Sequence, residues 1–121
     1  GYNHLDLDFD GNVLTKDNKV SGILDFDDLE YSPAVVCLGY SLCNTLNEDG
    51  EKSARLYLDE YEKVRALTSV ERELLPSVVL HRNYMMGALC VLQQGDVASV
   101  EYFNSNLLKL EKEIPFIFKM D

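Results

Sequence analysis

The sequence predicts an α+β domain that is mostly helical: a short β-hairpin followed by four or five mostly buried helices. Two β-favouring runs, Val13-Leu14-Thr15 and Val20-Ser21-Gly22-Ile23-Leu24, flank the polar stretch Lys16-Asp17-Asn18-Lys19, whose Asp-Asn pair suits a tight reversal. After this hairpin the apolar spacing becomes helical and stays so to the end. The third observation is size. A chain of 121 residues with 46% hydrophobic content fits one domain with a modest core, and no repeat or long linker divides it. Residues 1–30 form the hairpin segment and 31–121 a helical subdomain.

Ser32-Pro33 supplies an N-cap and a first-turn proline for an apolar helix reaching about Leu46 and stopping at Asn47-Glu48-Asp49-Gly50. Its all-round apolar character predicts burial. The next helix, about Lys52 to Ala66, places Ala54, Tyr57, Leu58, Tyr61 and Val64 on one face. Thr68-x-x-Glu71 is the pattern of a capping box, opening a segment that Pro76 should kink or split. Ser77 to about Gln94 then forms a largely buried helix ended by Gly95. Asp96 caps the last helix, which carries Phe103, Leu107, Leu110 and Ile114 at helical spacing and ends before Pro115. His81, in an apolar helix, reads as a hydrogen-bonded interior or groove histidine, and Met85-Met86 as core filler.

With 21 acidic against 11 basic residues and a formal charge of −10, neither a nucleic acid nor an anionic membrane is an expected partner, while a cationic small molecule is compatible. Cys37, Cys43 and Cys90 are odd in number and lack metal-site spacing, which predicts neither disulfides nor zinc and suits a reducing cytoplasm. The apolar stretch from Val78 to Leu92 is interrupted by His81-Arg82-Asn83 and is too short to span a bilayer, and no signal peptide opens the chain.

The chemistry concentrates in His4-Leu5-Asp6-Leu7-Asp8-Phe9-Asp10-Gly11-Asn12-Val13-Leu14 and Gly22-Ile23-Leu24-Asp25-Phe26-Asp27-Asp28. Asp6, Asp8 and Asp10 alternate before Gly11, and Asp17 closes a twelve-residue span, the layout of a calcium loop. That site requires a helix on each side. Here only five residues precede Asp6 and a strand is predicted to follow.

Taken together, the two segments resemble the aminoglycoside phosphotransferase and choline kinase type of small-molecule kinase. In that family a His-x-Asp loop with a following Asn precedes a short hairpin that ends in Asp-Phe or Asp-Trp; here these are His4-x-Asp6, Gly11-Asn12-Val13-Leu14 and Asp25-Phe26. The resemblance implies the C-terminal lobe of a protein-kinase-like fold, with residues 1–30 as its catalytic and metal-binding hairpin. It implies Asp6 as catalytic base, His4 as the loop's structural partner, and Asn12 and Asp25 as ligands of the Mg²⁺ that accompanies ATP. Phosphoryl transfer needs a carboxylate for the attacking hydroxyl and oxygen ligands for the metal, and a hairpin brings both together. Asp27, Asp28 and Glu30 would form an acidic mouth for a cationic, hydroxylated substrate: an aminoglycoside, choline, homoserine or a sugar amine. The alternative is a non-catalytic binding module, either a degenerate kinase lobe or a calcium-binding domain.

The chain departs from the family pattern in three places. Six positions separate Asp6 from Asn12 where five are usual, which leaves Asp8 as a rival to Asp6; Leu5 replaces a glycine; and Cys37 stands where an aspartate is common. No glycine-rich phosphate loop or partner lysine occurs, so the resemblance places the ATP-gripping N-terminal lobe outside this chain. The chain alone is then expected to be inactive or nearly so. Apolar surface uncovered near the hairpin should make it self-associate.

Overall fold

A computed structural model describes residues 1–7, 11–95 and 97–118 of the chain. Strands β1 (Tyr2–His4), β2 (Val13–Lys16), β3 (Lys19–Ile23) and β4 (Leu29–Tyr31) are followed by helices α1 (Ala34–Glu48), α2 (Glu51–Val64), α3 (Ser69–Gln94) and α4 (Val97–Phe118). The result is an α+β domain in which two small antiparallel ladders precede four partly buried helices.

The β2–β3 hairpin forms where the alternating runs predict it. Asp17 and Asn18 both take positive φ, 52° and 58°, as the two central residues of a hairpin turn must when its twist matches that of the strands. The register slips between Leu14 and Thr15, leaving Ser21 unpaired, and its hydroxyl donates to the Leu14 carbonyl at 3.2 Å. Around this hairpin closes a second ladder that local periodicity does not reveal: β1 pairs antiparallel with β4, Asn3 facing Glu30 and His4 facing Leu29.

Ser32 is drawn into that ladder rather than capping α1. Its carbonyl and hydroxyl accept from Asn3 Nδ2 at 2.7 and 3.2 Å, and the cap position falls to Pro33, which is extended and offers no side-chain bond. Apolar on most sides, α1 is buried as expected: Val35, Leu38, Leu42, Cys43 and Leu46 enter a core shared with Ala54 and Leu58 of α2, Leu75 and Val79 of α3, and Leu110, Ile114, Ile117 and Phe118 of α4. Complete burial of Leu42 alone contributes about 1.5–3 kcal/mol.

Several expected boundaries move. Val64 is 91% exposed because α2 ends there and the chain leaves with Arg65 extended. Instead of splitting, α3 runs through Pro76: the ladder bond lost there costs about 3 kcal/mol, and burying Leu75 and Val79, at about 1.5–3 kcal/mol each, offsets it. By the same balance α4 continues past Pro115, carrying Ile117 and Phe118 into the core. The C-terminal part of α3 is less buried than its composition suggests, with Leu92 82% exposed. Gly95 ends this helix in the left-handed conformation, φ 64°. Asp96 lies outside the described residues.

The capping box is complete at the start of α3. Thr68 Oγ1 accepts from the Glu71 backbone N–H at 3.2 Å, and the Glu71 carboxylate accepts from the Thr68 N–H at 3.0 Å and from Arg65 at 2.5 Å. The Thr68 backbone N–H, followed by Arg65 and the Thr68 hydroxyl, holds the Glu71 carboxyl down at about 2, below its ordinary value of 4.5. A depressed carboxylate stabilises the fold fully above pH 4.5, and the contribution is lost as pH falls towards 2. Thermal melts are therefore expected to drop across that window, and Glu71→Gln should flatten the drop.

Candidate active site

His4 ends β1 with its ring buried, and its partners define the tautomer. The Asp6 backbone N–H donates to Nδ1 at 3.3 Å, so Nε2 carries the proton and donates to the Leu24 carbonyl at 2.7 Å. Phe26 meets the ring edge-on at 4.9 Å, and the Cys37 thiol donates to the His4 carbonyl at 2.8 Å. Burial pushes the Cys37 thiol above its usual range, which keeps it protonated as a donor. Cys37 thus supports the loop, and His4 ties that loop to the base of the hairpin at Leu24.

Asn12 reaches Asp6 despite the extra residue between them. Its Nδ2 donates to the Asp6 carbonyl at 2.8 Å and to Oδ2 at 3.2 Å. On the other strand the Leu24 N–H donates to the Asn12 carbonyl at 2.8 Å, so the hairpin base pairs Asn12 with the residue before Asp25. Asp25 is exposed and takes φ 59°, a conformation an L-residue adopts at a cost and one that recurs at functional sites. With its nitrogen engaged at Asp6, the Asn12 amide has Oδ1 left to meet a cation. That oxygen and the Asp25 carboxylate suit Mg²⁺, which takes one or two protein oxygens and completes its shell with phosphate and water. Among the described residues no group of three or more His, Cys, Asp or Glu side chains is disposed to hold a metal.

The calcium-loop layout meets a different setting. Asp6 is flanked by strands β1 and β2 rather than helices, and Asp17 lies in the turn at the far end of β2, about 13 Å along that strand from Val13. Ligands of one Ca²⁺ must all lie within about 2.6 Å of it. Asp8 and Asp10 lie outside the described residues.

Asp6 also has a partner the sequence did not single out. Arg82 Nη2, from α3, donates to Asp6 Oδ1 at 2.7 Å. The arginine is 7% exposed, its guanidinium lies 4.9 Å from the centre of the Tyr40 ring, and its Nε is buried without a hydrogen-bond partner. Such an unsatisfied donor costs about 1–3 kcal/mol. Of the two places read for the neighbouring His81, interior or groove, it takes the groove: it is exposed beside Tyr40 and Val78, with Nδ1 3.2 Å from the Tyr40 hydroxyl. The one sign of the Arg82 contact in the sequence is a charged side chain inside an apolar helix, because a buried arginine requires a carboxylate partner.

A groove of about 470 Å³ opens against Arg82 and Leu5, the residue before Asp6. Asp27, Asp28 and Glu30 line it together with Tyr40, Arg82 and Met85. The three acidic residues are exposed, so they form a rim, while Met85, half-buried, belongs to the groove as much as to the core. A smaller apolar hollow of about 250 Å³ between α3 and α4 shares no residue with it.

Among the described residues no helix is long and apolar enough to cross a membrane. The chain matches no protein-family model, no curated protein and no solved structure.

Proposed function

We propose that this chain is the catalytic lobe of an ATP-dependent phosphotransferase of the aminoglycoside phosphotransferase and choline kinase type, with the C-lobe of a protein-kinase-like fold. The observation that carries the reading is one knot of side chains: Asp6, held on both carboxylate oxygens, bonded to Asn12, with Asn12 tied across the hairpin to the residue before Asp25. A substrate seated in the groove would reach past Leu5 and Arg82 to bring its hydroxyl to Asp6, which orients it and accepts its proton as the bond to phosphorus forms. Mg²⁺, when bound by Asn12 and Asp25, supplies charge neutralisation at the phosphate oxygens.

The acidic rim favours a substrate bearing an amine beside its hydroxyl. Exposed charges act weakly, at about 0.2–1 kcal/mol each. Replacing Asp28 with Asn and Glu30 with Gln together should therefore raise KM for amino-alcohol substrates about 3- to 10-fold and leave kcat in place. An unchanged KM would remove the rim from substrate recognition.

Metal titration tests the reading against its alternative. Binding of Mg²⁺ with nucleotide that is lost in Asn12→Ala and Asp25→Ala is the expected result. Micromolar Ca²⁺ binding abolished by Asp8→Ala and Asp10→Ala, with no effect of Mg²⁺ and nucleotide, would make the chain a calcium-binding module instead. Exposed apolar side chains on the β segments, among them Tyr2, Val20, Phe26 and Tyr31, support self-association of the chain, which sedimentation across concentrations would detect.

A further inference from the structure

Arg82, Met85 and Leu89 share one face of α3, at positions i, i+3 and i+7, and this face forms the floor of the groove. From there Arg82 crosses 76 positions of sequence to reach the Asp6 carboxylate. The Tyr40 ring of α1 covers the guanidinium, and Nε is left without a partner in the interior. The side chain is thus aimed by its bond to Asp6 and not by satisfaction of its own donors. An apolar residue at this position would have filled the same space without burying a charge.

We propose that Arg82, which lines the groove and bonds Asp6, is the positioning residue of the site, fixing the partly exposed Asp6 carboxylate for a hydroxyl that reaches it past the guanidinium. The inference rests on the phosphotransferase reading. Each carboxylate oxygen offers two lone pairs. Arg82 takes one on Oδ1 and Asn12 one on Oδ2, which pins the plane of the group and leaves each oxygen able to accept from substrate. The substrate O–H proton passes to Asp6 as the oxygen bonds to the γ-phosphorus, the bond from that phosphorus to the bridging oxygen breaks, and ADP leaves with the electron pair. Asp6 later releases its proton to water. Arg82 keeps its own protons throughout.

The test uses the natural protein that carries this chain, with ATP and a hydroxylated amine as substrates. Misplacement of a catalytic group by about 1 Å costs on the order of 100-fold, so Arg82→Met should lower kcat about 100-fold while KM stays within about threefold. Arg82→Lys, which lacks the planar fork, should recover part of the loss, leaving kcat down about 10-fold. In an Asp6→Asn background Arg82→Met should cost less than about twofold more, because the group it positions is gone. Wild-type kcat in either folded variant would overturn the proposal, as would a rise in KM alone or full additivity with Asp6→Asn. If Arg82→Met fails to fold, Arg82→Lys decides by the same comparisons. A wild-type protein that transfers no phosphate overturns the phosphotransferase reading along with this inference, whereas an active wild type with unaffected Arg82 variants overturns the inference alone.

Discussion

Asp6→Asn is expected to lower kcat for phosphate transfer by about 10³-fold, within the range of about 10²–10⁴ that a positioned general base supplies. The substitution keeps the shape of the side chain and removes its ability to take a proton. It also disturbs the knot: an amide nitrogen in place of Oδ2 would face the Asn12 Nδ2 donor across 3.2 Å, donor against donor. Turning the amide over relieves that clash and creates another with Arg82 Nη2 at 2.7 Å. A stability loss of about 1–2 kcal/mol should accompany the kinetic one, moderated because the Asp6 side chain is 35% exposed and water can solvate it. KM should change little, since Asp6 acts on the proton in transit more than on bound substrate. Steady-state rates beside a thermal melt separate the two effects. A variant that melts like the wild type and retains its kcat would mean that Asp6 is not the base.

The largest effect on stability is expected from Gly39→Ala. On propensity alone the change should help, because alanine in a helix interior is favoured over glycine by about 1 kcal/mol. Packing reverses the sign. A Cβ at Gly39 would lie 2.5 Å from Val78 Cγ1 and 2.9 Å from Val78 Cβ, with Leu75 Cδ1 at 3.5 Å. Rotating Val78 can move its Cγ1, but its Cβ is fixed to the backbone of α3, so the two helices must part. Overpacking of this kind costs about 1–3 kcal/mol and sometimes more, which against the propensity gain leaves a net loss of up to about 2 kcal/mol and a Tm lower by up to about 10 °C. Val78→Ala in the same chain should restore part of it. The strain would not stay local: Val78 is one turn before Arg82, so separating α1 from α3 also pulls Arg82 away from Tyr40 and Asp6. A Tm raised by Gly39→Ala would contradict the close α1–α3 contact.

What could be read in advance follows the range over which each feature is encoded. Asp17-Asn18, Thr68-x-x-Glu71 and Gly95 each specify their geometry within four residues, and each forms the predicted turn or cap. The approach of His4, Asp6 and Asn12 to one another and to Leu24 has a related reason, since a single short hairpin joins these residues. The β1–β4 ladder was not, because three-residue strands separated by 24 residues leave no periodic trace. Pro76 and Pro115 misled for the opposite reason: the local rule is sound, but buried neighbours contributed by other helices outweigh it. Arg82 is the instructive omission. Nothing within ten residues of it explains a buried charge, and its meaning emerges only when α3 is laid against a loop 76 positions earlier.

Phosphorus NMR of the natural protein with ATP, Mg²⁺ and a panel of amino alcohols and amino sugars reads out whether Asp6, Asn12 and Asp25 serve phosphoryl transfer to a small hydroxylated molecule, as proposed. A new phosphomonoester signal is expected that grows with ADP, requires Mg²⁺ and is absent in Asp6→Asn. Release of inorganic phosphate alone, or no turnover of ATP by the folded protein with any acceptor, would contradict it.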